Sequence, residues 1–80
     1  MPEVLAAYGA YKDVVDRQVP DLRTRARARL GRTIHDHRTK RPVRTDQQTV
    51  AKELGIVVEQ VRRYEAEWRK WQREHPGEEP

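Results

Sequence analysis

The stretch TVAKELGIVVEQVRRYEAEW, Thr49 to Trp68, decides the fold. Val50 and Leu54 lie four residues apart on one helical face, and Ala51 is small where two helices must cross closely. Gly55 supplies a turn, because it has no Cβ to oppose a positive φ. Ile56 plugs that turn, and Val61 and Tyr64 anchor the helix beyond it. The pattern predicts a helix-turn-helix, two helices packed across a turn of three to four residues. Thr45 with Gln48 three residues on reads as a capping box, so the leading helix is expected from about Asp46 to Leu54. The second is expected from about Val58 to His75, stopped by Pro76-Gly77.

On that second helix, Val57, Val61, Tyr64, Trp68 and Trp71 gather in an arc of roughly 80°, which reads as a core-facing stripe. Glu59, Arg62, Arg63, Ala66, Arg69, Lys70 and Arg73 lie opposite. A helix in the DNA major groove needs this division, with its N-terminal half offering side chains to base edges. Arg reads guanine O6 and N7 in a bidentate contact, and Glu accepts from cytosine N4. Glu59, Gln60, Arg62 and Arg63 are therefore the expected base readers, with Gln60 toward one flank. Arg69, Lys70 and Arg73 lie farther along and suit phosphate contacts.

The run VEQVRRYEAEWRKWQREHP resembles the end of region 4 of bacterial primary-type sigma factors, where a helix-turn-helix recognises the promoter −35 element. The likeness rests on Leu54-Gly55, Glu59, Val61-Arg62, Glu65-Ala66 and the basic continuation at Arg69-Lys70. It implies that Glu59, Arg62 and Arg63 contact bases. It covers about the last third of the chain, and Val57-Val58, Arg63 and Tyr64 depart from the family pattern. VAKELGI followed by VRRYE is more weakly similar to the start of MerR-type regulators, although AEWRKWQREH continues as helix where that family turns into a wing.

Upstream, Pro2 and Glu3 suit the first turn of a helix carrying a stripe of Val4, Tyr8, Tyr11 and Val15, ended by Val19 and Pro20. Asp21 is a suitable N-cap for a second helix. Its Leu22, Ala26, Leu30 and Ile34 recur every four residues as an apolar stripe. Arg25, Arg29 and Arg32 fall on the far side, with Arg23 and Arg27 flanking the stripe. Gly31 either ends this helix early or sits on its exposed side. RTKRPVR, Arg38 to Arg44, reads as a basic connector, because Pro42 disfavours helix at Arg41. The segment PGEEP is expected to fray.

Eighty residues make one small domain, and a chain of this size buries only about 60% of its unfolded surface. Dimerisation is a natural way to enlarge so thin a core. There is no cysteine, hence no disulfide framework and no Cys-based zinc site. His35 and His37 point about 200° apart on a helix and cannot converge on one ion, so no metal and no cofactor are expected. No Gly-rich phosphate loop and no defensible nucleophile, base and acid arrangement is present, so the chain reads as a non-enzyme. No apolar run is long enough to span a bilayer and the start is not a signal peptide, so a cytoplasmic, nucleoid-associated protein is expected.

The formal charge of +4 is unevenly spread. Residues 22–45 hold nine basic groups against Asp36 alone, net +8, while the segments on either side are each net −2. Such concentration favours a polyanionic partner. Arg25, Arg29, Arg32, Lys40, Arg41 and Arg44 are accordingly expected to contact phosphates. The expected molecule is a small all-α, four-helix domain. Residues 1–44 carry the N-terminal helices and basic connector, 45–75 the helix-turn-helix and 76–80 a frayed tail. Its expected function is sequence-specific binding of double-stranded DNA in transcriptional regulation, in a bacterium or its phage or plasmid. Two other classes stay open. One is a DNA-organising accessory factor of the excisionase or packaging-recognition kind. The other is an interaction module that contacts RNA polymerase or a sigma factor.

Overall fold

A computed structural model describes residues 1–17, 20–40 and 44–80. Among the described residues four α-helices form the architecture: α1 (Pro2–Asp16), α2 (Pro20–Thr39), α3 (Gln47–Leu54) and α4 (Val58–Glu74). The fold class is all-α, as the periodicities predict. Pro2 and Glu3 open α1, a proline needing no helical donor and an acid beside the exposed N–H groups. Asp21, expected as the cap, is instead the second residue of α2, within its first turn. The expected α1 stop at Val19 lies outside the described residues; α1 ends at Asp16, with Arg17 as its C-cap.

The cap of α3 differs from expectation by one residue. Asp46, not Thr45, is the N-cap, and its carboxylate accepts from the Thr49 N–H at 2.8 Å. A carboxylate at the residue next to the helix reaches an N–H of the first turn directly, as an N-cap requires. At the other end Gly55 adopts φ 71°, and the N–H groups of Gly55 and Ile56 donate to the carbonyls of Lys52 and Ala51. This is a Schellman closure, which requires the left-handed residue that glycine supplies without strain. It turns the chain directly into α4.

The core unites Val4 and Tyr11 of α1, Leu30 and Ile34 of α2, Val50 and Ala51 of α3, and Val61 and Tyr64 of α4. Val4, Leu30, Ile34, Val50 and Val61 are sealed from solvent, each burial stabilising by about 1.5–3 kcal/mol. Helix α2 is central: it packs on α1 along one side and on α4 along another, while α3 packs on α4. Its buried arc is accordingly wider than the expected stripe, taking in Ala28, Gly31 and His37 as well as Leu30 and Ile34. Leu22, at the outer end of the expected stripe, is 49% exposed.

Gly31 neither ends α2 nor faces solvent. It is buried at the α2–α4 crossing, where a Cβ would overlap the Tyr64 carbonyl and come within 3.0 Å of the Trp68 Cβ. Helix α2 also continues through Arg38 and Thr39, shortening the expected connector; Arg41 and Pro42 lie outside the described residues. Residues 76–80, expected to fray, lie against the body of the protein. Trp71 Nε1 donates to the Glu78 carbonyl at 3.2 Å, Arg29 to the Pro80 carbonyl at 2.8 Å, and Pro80 is buried.

Candidate nucleic-acid interface

The outer surface of α4 is set by the residues that are not free to turn outward. Val61, Tyr64 and Trp71 are buried, Trp68 is half-buried, and Glu59, Gln60, Arg62, Arg63, Ala66, Arg69, Lys70 and Arg73 are exposed. One apolar assignment changes. Val57 is the N-cap of α4 and 63% exposed, while Val58 is the residue that packs on the core. At the cap the backbone is extended, φ −80° and ψ 150°, so helical angles do not govern where the Val57 side chain points.

The four expected base readers sit together on the first two turns of α4. Arg62 is held from two sides: Nη1 donates to Glu59 Oε1 at 2.8 Å and Nε to Gln47 Oε1 at 3.4 Å. Arg63, one position on, has no acidic partner among the described residues. Of the residues expected on phosphate along α4, Lys70 lies 3.8 Å from Glu74, whereas Arg69 and Arg73 have no such partner among the described residues. Arg44 is exposed ahead of α3, also without one among them, and Arg41 lies outside the described residues.

The other expected phosphate contacts lie away from the first turns of α4, in a groove that Arg69 also lines. Arg25 stands over the Trp71 ring at 5.8 Å, and Arg32 over the Trp68 ring at 5.7 Å. Arg29 donates to the Pro80 carbonyl, and Arg32 to Glu79 Oε1 at 3.3 Å. Lys40 pairs with Asp36 at 3.3 Å. This row lines the groove between α2 and the segment after α4, beside the C-terminal half of α4 rather than its first turns.

A buried polar network lies behind the exposed residues of α4. Glu65 is 2% exposed, and both its oxygens accept from Arg38 Nη1, at 2.7 and 2.8 Å. Gln47 Nε2 also donates to Glu65, at 3.0 Å. Arg38 Nε reaches the Thr45 carbonyl at 3.2 Å, tying in the segment before α3. The polar chain therefore runs Arg38–Glu65–Gln47–Arg62–Glu59, from the α2–α4 crossing to the exposed face. A buried charge persists only when it is paired and its lone pairs are filled, as here. A signal for it exists in the sequence: Glu65 is four residues beyond Val61, and Arg38 four beyond Ile34, so each falls within its helix's buried arc.

Hydrogen bonding from Thr49, side chain first and backbone next, holds the Asp46 carboxyl below its ordinary 3.8. Burial pushes the Tyr64 phenol up, reinforced by Tyr11 and Tyr8 and opposed by Arg27. His37 Nδ1 lies 3.0 Å from Glu3 Oε1, joining the start of α1 to the end of α2. Among the described residues no group of three His, Asp or Glu side chains is placed to hold a metal ion. No helix among them is long and apolar enough to cross a membrane. Compared with family models, curated proteins and solved structures, the chain finds no match.

Proposed function

We propose that this chain is a non-enzymatic, sequence-specific binder of double-stranded DNA acting in transcriptional regulation, with α4 lying in the major groove. The observation that carries the reading is the division of α4: its first two turns present Glu59, Arg62 and Arg63 outward, while Val61 and Tyr64 anchor the same turns in the core. A reading helix has to be rigid, since base contacts require donors placed to fractions of an ångström. The contacts to Glu59 and Gln47 meet that requirement for Arg62. Arg63 reads a second base, and Arg69, Arg73 and Arg44 hold phosphates on either side. A dimer, if formed, sets two α4 helices about 34 Å apart on successive turns of one duplex face.

A DNA-organising role uses the same helix, and the degree of base discrimination separates it from a regulator. Selection of bound sequences from a random duplex pool is the deciding experiment, paired with the double substitution Arg62→Ala/Arg63→Ala. The pool converges on a defined site, and the double variant loses about tenfold to a hundredfold in affinity for each bidentate arginine contact removed. Unchanged affinity of the variant for that site would refute the assignment of α4 as the reader. Failure of the pool to converge would favour an architectural protein. Binding to RNA polymerase or a sigma factor without any affinity for DNA would favour the interaction module.

A further inference from the structure

We propose that residues 76–80 act as a built-in competitor for nucleic-acid phosphates, occupying the arginine row of α2 until a polyanion displaces them. The inference rests on the proposed DNA binding and adds a control on it. Arg25, Arg29 and Arg32 project from one stripe of α2, where residues three and four apart are neighbours. Such a row is what a phosphate chain recognises, because each guanidinium offers several donors in a fixed fork.

The segment after α4 meets that row with acceptors. Gly77, at φ 78°, lets the chain reverse just beyond α4. Glu79 Oε1 then accepts from Arg32 and the Pro80 carbonyl from Arg29, while Glu78 offers its carbonyl to Trp71 Nε1. His75 stacks on Trp71 at 3.8 Å, so the start of the segment is anchored on the same indole that lies beneath Arg25.

The strength of these contacts is what makes the segment a competitor rather than a lock. Glu79 is largely exposed and reaches Arg32 at 3.3 Å, a geometry worth only a few-fold in equilibrium. A duplex brings many phosphates and gains from releasing counterions, so it outcompetes one carboxylate and one carbonyl. Weak or isolated anions do not. The segment therefore raises the threshold for binding and favours ligands that engage α4 and α2 together.

The test uses the full chain carrying Trp68→Phe, which leaves Trp71 as its one tryptophan. A short mixed-sequence duplex is titrated into this chain and into the same chain with Glu78→Gln/Glu79→Gln. A control chain carries Asp16→Asn/Asp21→Asn, removing the same charge at exposed positions of α1 and α2. The Glu variant binds about threefold to fivefold tighter than its parent at low salt, the range set by one exposed ion pair. That advantage shrinks as salt rises, and the control gains less. In the parent, Trp71 emission moves to the red on duplex binding as the indole loses the Glu78 carbonyl. Equal gains in both variants, with Trp71 emission unmoved by the duplex, would overturn the proposal and leave the segment a passive brace. No duplex binding by any chain would overturn the DNA-binding reading itself, and the competitor with it.

Discussion

Val57 illustrates how one residue can be apolar, exposed and still in the right backbone conformation. It caps α4 with no side-chain hydrogen bond: its backbone carbonyl accepts from the Gln60 N–H at 3.1 Å, but its side chain offers no acceptor to the other N–H groups of the first turn. Val57→Ser keeps the extended backbone and adds an acceptor for those donors. Because little packing is lost at an exposed position, the substitution stabilises the fold by about 0.5–1 kcal/mol. Urea unfolding measures this, and a lower midpoint would count against the cap geometry. Asp46 is the contrasting case, a cap that works and titrates. Its carboxyl is lowered from 3.8 in the folded chain, so its contribution is complete above that value and fades as pH falls through the lower, folded value. The protection of the Thr49 amide, its exchange rate referred to the intrinsic rate at each pH, should therefore hold at pH values about one unit above the ordinary carboxylate range and fall in stronger acid. Asp46→Asn, which caps without titrating, removes that acid limb.

The decisive contact between elements is the α2–α4 crossing at Gly31. On an exposed helix surface, Gly→Ala gains about 1 kcal/mol from propensity alone. At this crossing the new methyl meets the Tyr64 backbone, which cannot swing aside as a flexible side chain would. Gly31→Ala therefore destabilises, by about 3 kcal/mol, because overpacking a tight crossing exceeds the propensity gain. The sign of the change in thermal midpoint is the readout, since an exposed glycine predicts the opposite sign. Helices α2 and α4 are also joined by the Arg38–Glu65 pair, so close backbone approach and a buried ion pair act between the same two elements. Removing Glu65 strands Arg38, and Gln47 loses the contact that seats it beside Arg62. The stability of this helix pair and the placement of the Arg62 side chain are thus coupled.

Across the whole molecule, positive charge is divided between engaged and unengaged cations. The cations of α2 are engaged by Trp68, Trp71 and residues 78–80, whereas Arg44, Arg63, Arg69 and Arg73 are exposed on α4 and ahead of α3. The proposed phosphate contacts of Arg44, Arg69 and Arg73 contribute roughly −3 to the slope of the logarithm of the binding constant against the logarithm of salt, and displacement of residues 78–80 from the α2 arginines would steepen it further. A slope near zero would remove these residues from the interface. Much of this molecule is legible in its residues. The helix-turn-helix register, the Gly55 turn and the anchoring of Val61 and Tyr64 arise from side-chain size and periodicity, which are local properties of the chain. So does the grouping of Glu59, Arg62 and Arg63 on the outer face of α4. What sequence periodicity could not supply was which neighbours each helix meets. Helix α2 is packed on two sides, so its buried arc is wider than one stripe and takes in Gly31, while Leu22 is left half exposed. Residues 76–80 read as a fraying end because Pro and Gly interrupt helix, yet the acceptors they carry meet donors from α2 some fifty positions earlier. Local chemistry therefore determined the elements and the outward face of α4. Only tertiary packing decided that Glu65 is buried, that Gly31 is indispensable, and that the α2 arginines already hold an acidic segment, because each depends on residues distant in the chain.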